Sequence, residues 1–197
     1  MVEPPANQPE IEPLTRTQVL IFMGVTAVVL LLAAKLWLHF DSVALLPVRW
    51  LAIDLVWGVM VGGLITAASA LVYRLWPAYR RSADFYVRLV VEPLIWPDLI
   101  WLGLLPGLSE ELLFRGVMLP ALGMSWAGLL VSSICFGILH FSGWPYVIWA
   151  TVVGLLLGYS ALATGNLLVP IVAHIVTNLV GSIMWKLGNR DSQQPLT

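Results

Sequence analysis

The chain alternates long apolar runs with short polar interruptions, and the runs have the length of bilayer crossings. Val19 to Leu38 is apolar for 20 residues apart from Lys35, which at about 1.5 Å per residue matches a hydrocarbon core of about 30 Å. A second run, Trp50 to Tyr73, carries a charge only at Asp54. Residues 74–92 then break the pattern with Arg74, Arg80, Arg81 and Arg88 in a partly amphipathic connector, predicted to lie on the membrane surface. Four more apolar runs follow with very short linkers: 98–119, 125–141, 145–163 and 167–187. The pattern predicts an all-α polytopic membrane helical bundle of about six transmembrane helices. Its parts are a disordered N-terminal tail (1–18), two helices and the interfacial connector (19–92), a four-helix core (93–188) and a C-terminal tail (189–197).

Composition supports this picture: 59% of the residues are hydrophobic and 11% charged, against about 25% charged in soluble domains. The net charge of −1 gives no basic field for nucleic acid, so the expected partners are the lipid bilayer and whatever the site binds. Residues 1–18 are Pro-rich and acidic, the opposite of a signal peptide's basic leader. Trp37, Trp50, Trp76, Trp126, Trp144 and Trp185 fall near run ends, as in an interfacial aromatic belt. Gly154 and Gly158 form a GxxxG pair that permits close helix approach. Arg16, Arg74, Arg80, Arg81, Arg88, Lys186 and Arg190 fall on one side of a six-span topology, against Lys35 and Arg49 near the other. Both termini are therefore expected in the cytoplasm. The single cysteine, Cys135, lies in an apolar run and reads as a small buried residue.

Charge is almost absent from the core. Between Pro93 and Trp185 the charged residues are Asp98, Glu110, Glu111 and Arg115. A carboxylate in a span is expensive unless paired, hydrated or protonated. Glu111 and Arg115 are i and i+4 and can pair on one helical face; Glu110, rotated by about 100°, points elsewhere. One carboxylate can thus be held while its neighbour serves as a general base or acid. A purely structural use, a buried ionic clip fixing helix registry, is the competing reading. Two further runs carry polar pairs one turn apart: Phe136 with His140, and His174 with Asn178.

Glu-Glu-x-x-x-Arg, Phe-x-x-x-His and His-x-x-x-Asn, in that order on three helical segments, resemble the CAAX prenyl endopeptidase and bacteriocin-processing (CPBP, or Abi) family of intramembrane proteases. The resemblance covers about residues 93–185. It implies an endopeptidase in which Glu110 and His140 activate water, His174 and Asn178 face the oxyanion, and Glu111, Arg115 and Phe136 support them. The substrate would be a membrane-associated peptide or protein, and the setting a prokaryotic inner membrane. A zinc-dependent version would use Glu110, His140 and His174 as ligands. A glutamate mechanism without cofactor is favoured, because asparagine is a poor zinc ligand and the chain has no HExxH pair. Family members assigned to immunity or scaffolding make a non-proteolytic protein the rival function; a proton-coupled carrier is disfavoured by the lack of inverted repeats.

Depth raises a question. Glu110 lies 12 residues beyond Asp98, about 18 Å at helical rise, whereas His140 falls near the cytoplasmic end of its run. For the two to meet, either the 141–146 segment is sunk below the surface or Pro97 and Pro106 break the third run. A water-filled cavity open to the cytoplasm is expected among the last four helices.

Overall fold

The computed structural model describes residues 13–189, and every regular element among them is helical. Helix α1 (Arg16–Phe40) starts three residues before the expected run, inside the stretch read as a disordered tail. The reason is a capping box: the Thr15 hydroxyl accepts from Gln18 N–H, and the Gln18 side chain accepts from Thr15 N–H, satisfying two otherwise orphan donors. Residues 1–12 and 190–197, which hold the rest of the two expected tails, lie outside the described residues. Then come α2 (Ala52–Leu75), the connector helix α3 (Pro77–Val90) and α4 (Asp98–Glu111). The last of these runs on without a break through a π-helical turn (Leu112–Met118) into the short α5 (Leu119–Ala121). Helices α6 (Trp126–Leu139), α7 (Trp144–Thr164) and α8 (Leu168–Gly188) complete the chain.

Four of these, α1, α2, α7 and α8, are long and apolar enough to cross a membrane. The continuous run 98–121 and the shorter α6 make up the six apolar segments. Large apolar side chains face outward along α1 (Ile21, Phe22, Val25, Leu32, Leu36) and α2 (Val56, Met60, Leu64), while Glu111 and Arg115 are fully buried. That inverts the water-soluble pattern and fits a bilayer as solvent.

Strand-free packing leaves helix ends to report topology. Arg16 at the start of α1 donates through Nε and Nη2 to the Asp98 carboxylate at the start of α4 (2.7 and 2.9 Å), which puts those two ends on one side. On the other side Asn166, in the α7–α8 turn, accepts from Arg49 N–H and donates to the Arg49 carbonyl and to Asp54. Close approach holds the bundle between. A Cβ on Gly62 of α2 would stand 2.6 Å from the Ala173 carbonyl of α8, so these helices touch through backbone as small-residue membrane contacts do. The expected close approach at Gly154 is present too, against Ser133 of α6.

The depth question has its answer in α6. With 14 residues it is about 21 Å long, well short of a 30 Å core, and it ends at His140 inside the bundle. The 141–143 turn is held under α3, where Ser142 Oγ donates to the Ser82 carbonyl (3.2 Å). Pro97 precedes α4, and Pro106 lies within it without ending it. The motifs thus meet where α6 ends at His140 against an unbroken α4 at Glu110.

Candidate active site

Two prolines shape the helix that carries the glutamates. Each lacks an N–H, so each frees the carbonyl four residues before it. Pro106 frees the Leu102 carbonyl, and Asn178 Nδ2 of α8 donates to it at 3.4 Å. Pro120 frees the Gly116 carbonyl, and Leu46 N–H of the α1–α2 loop donates to it at 2.9 Å. Between the prolines lies the π turn, a widening of the helix often found at functional sites, and Arg115 projects from it.

Glu110 and Glu111 diverge as their spacing requires. Glu111 is wholly enclosed: its Oε1 accepts from Arg115 Nη1 and from His174 Nδ1, both at 2.8 Å. Arg115 also donates from Nη2 to the Gly154 carbonyl (2.9 Å), and its guanidinium lies over the Phe136 ring, 4.4 Å from the centroid. Phe136 is a plate with several neighbours: His140 at 4.5 Å, His174 edge-on at 5.7 Å and Phe114 at 5.5 Å between centroids. That explains why a phenyl ring belongs one turn before His140. It separates and orients the two imidazoles while offering the arginine a cation–π face.

Glu110 turns the other way. Its Oε2 lies 3.4 Å from His140 Nε2, longer than a well-made hydrogen bond, and has no hydrogen-bond partner among the described residues although it is buried. His140 Nδ1 lies 2.9 Å from the Phe136 carbonyl. A carbonyl only accepts, so Nδ1 carries a proton, and a neutral ring in this tautomer presents a lone pair at Nε2. In that form two acceptors face each other across a gap, an arrangement that one water donating both hydrogens can bridge.

All seven motif residues thus come together: Glu110, Glu111, Arg115, Phe136, His140, His174 and Asn178. His140, His174, Asn178 and Phe136 line a cavity of about 90 Å³. It adjoins a groove of about 560 Å³ lined by α2, α3 and α8, including Thr66, Tyr73, Tyr86, Val87 and Trp185. The expected cavity among the last four helices is corrected here, since α2 and α3 form much of its wall. Ser69, Tyr79, Tyr146, Thr177 and Asn178 border both spaces. Motif reading missed Ser69 and the tyrosines. The available signal was the α3 pattern, in which Tyr79, Ala83, Tyr86 and Val90 recur at helical spacing while Arg80, Arg81 and Arg88 are exposed.

No group of three or more His, Cys, Asp or Glu among the described residues is arranged to hold a metal ion; His174 gives Nδ1 to Glu111 and His140 gives Nδ1 to the Phe136 carbonyl, which leaves Nε2 of each ring as its available ligand atom.

Comparison with known proteins places this geometry in context. Residues 92–180 match the family model described as type II CAAX prenyl endopeptidase Rce1-like. The chain is also similar to the uncharacterized protein YpbD of Bacillus subtilis (strain 168), with 32% identity over 130 residues. That match covers 64% of this chain and 66% of the relative, just under two thirds of its length. No solved structure matches significantly.

Proposed function

From the match of residues 92–180 to the Rce1-like family model of type II CAAX prenyl endopeptidases, we propose that this chain is an intramembrane endopeptidase in which Glu110 and His140 activate water. What supports this reading is the pair of facing acceptors, Glu110 Oε2 and His140 Nε2, 3.4 Å apart. A water held by both attacks the scissile carbonyl carbon while one of its protons passes to Glu110. The carbonyl electron pair moves onto oxygen, and the resulting oxyanion faces His174 and Asn178. Collapse re-forms the carbonyl, the C–N bond breaks, and the proton on Glu110 leaves with the amine. The products are a carboxylic acid and an amine, with the water oxygen in the acid. His174 Nδ1 is engaged by Glu111, so donation from Nε2 to the oxyanion requires the imidazolium form, with Glu111 as its counter-charge. Arg115 and Phe136 hold Glu111 and the imidazoles in place.

The substrate is a membrane-associated peptide or protein, reached through the groove under α3, and no cofactor takes part. Arg16, Arg74, Arg80, Arg81, Arg88 and Lys186 share one face of the topology, which favours both termini in the cytoplasm of a prokaryotic inner membrane. The test is purified wild type and Glu110→Gln, reconstituted in vesicles and incubated with a library of membrane peptides read by product mass. Wild type should cut a subset. Glu110→Gln should lose about 10²–10⁴ in rate while folding normally; full activity in that variant removes Glu110 from the base role.

A further inference from the structure

The oxyanion donors implied by the motifs are partly committed elsewhere: His174 Nδ1 to Glu111 and one Asn178 N–H to the Leu102 carbonyl. A third donor stands at the same cavity. Tyr146, two residues into α7, borders both the 90 Å³ cavity and the larger groove. Its ring is fixed between Tyr86 (5.2 Å) and Tyr79 (5.8 Å), stacked on each, and Tyr79 is itself stacked on Trp76 and edge-on to Trp149. Its hydroxyl makes no hydrogen bond among the described residues, whereas Tyr73 on the groove wall donates to Asp84 at 2.6 Å. A phenol clamped on both ring faces with an uncommitted O–H is a preorganised donor, since it reorganises little when charge develops nearby.

The position is next to the chemistry. Tyr146 lines the 90 Å³ cavity together with His140, His174 and Asn178. Burial, with Glu110 adding to it, pushes the Tyr86 phenol up to about 12, so at least this member of the stack stays protonated wherever the enzyme works. The alternative use of the stack as mere packing leaves the hydroxyl without purpose, since a phenylalanine would stack equally well.

We propose that the Tyr146 hydroxyl is a catalytic residue of this site, donating a hydrogen bond to the oxyanion of the tetrahedral intermediate alongside His174 and Asn178. The proposal rests on the endopeptidase reading above. The test uses the full chain in vesicles with the library peptide that wild type cuts fastest, and compares Tyr146→Phe, Glu110→Gln and Tyr146 replaced by 3-fluorotyrosine. Tyr146→Phe keeps the stack, so it should melt like wild type and bind the peptide with unchanged KM, while kcat falls by about 10²–10³ as for one lost donor. The fluorinated ring, a more acidic phenol, should restore kcat to at least the wild-type value and bring in a new loss of activity at high pH as it ionises. A kcat for Tyr146→Phe within twofold of wild type, with Glu110→Gln inactive, overturns this inference and leaves the endopeptidase reading intact. Should Tyr146→Phe fail to fold, a fluorotyrosine enzyme with an unchanged pH profile overturns it equally. A wild type that cuts no peptide, or an active Glu110→Gln, removes both.

Discussion

Replacing Arg115 by alanine tests how the site is held together. The side chain is fully buried and does three things at once. It neutralises Glu111 through a 2.8 Å hydrogen bond, donates to the Gly154 carbonyl of α7 at 2.9 Å and covers the Phe136 ring at 4.4 Å. Breaking a buried ion pair by removing one partner costs about 3–5 kcal/mol, and losing one hydrogen bond from a charged donor about 1.5–3 kcal/mol. Because all three contacts share one residue they do not add, and about 4 kcal/mol is the expected loss. For a chain of this size each kcal/mol moves the midpoint by about 2–4 °C, so Tm in detergent should fall by about 8–16 °C. Tryptophan fluorescence on heating reads this directly. Glu111→Gln combined with Arg115→Met supplies the control: with both charges gone, most of the loss should return. An Arg115→Ala protein melting within a degree of wild type would refute the idea that the arginine holds the glutamate.

Asn178 has a structural and a proposed catalytic role that can be separated. Asn178→Leu should lower both Tm and kcat; adding Pro106→Ala gives the Leu102 carbonyl an N–H partner again, so Tm should recover while kcat stays low, and recovery of both would assign Asn178 to the carbonyl alone. Elemental analysis of purified active protein should find far less than one zinc per chain, with a rate unchanged by chelators. Stoichiometric zinc that restores a stripped enzyme would replace the glutamate mechanism with a metal one.

The helical bundle and the clustering of the seven motif residues were legible because membrane burial makes polarity conspicuous: Glu110, Glu111 and Arg115 stand out where every neighbour is apolar. The divergence of the two glutamates followed from a 100° step alone. Other features depended on information that periodicity does not hold. The register of His140 depended on where α6 stops, which the apolar run through Phe141 does not mark, since Leu139 and Phe141 are both exposed. The wall formed by α2 and α3 depended on packing across the bundle. Pro106 reads as a helix breaker, yet Asn178 supplies a partner for the carbonyl it frees, as Leu46 does for the one freed by Pro120, both from distant parts of the chain, and no local pattern announces such partners.

The brevity of α6 also sets a demand on whatever the protein binds. Its end at His140 lies about 9 Å short of the thickness of an average hydrocarbon core. A bilayer meeting so short a helix thins locally, or water enters above it. A helical substrate advances only about 1.5 Å per residue and keeps its carbonyls bonded within itself. An extended one advances about 3.3 Å per residue, so roughly five or six unwound residues cover the about 18 Å that separates Glu110 from the start of α4. Segments that unwind easily near the headgroups, with glycine, proline or a nearby chain terminus, are therefore the ones that the endopeptidase reading expects to be cut.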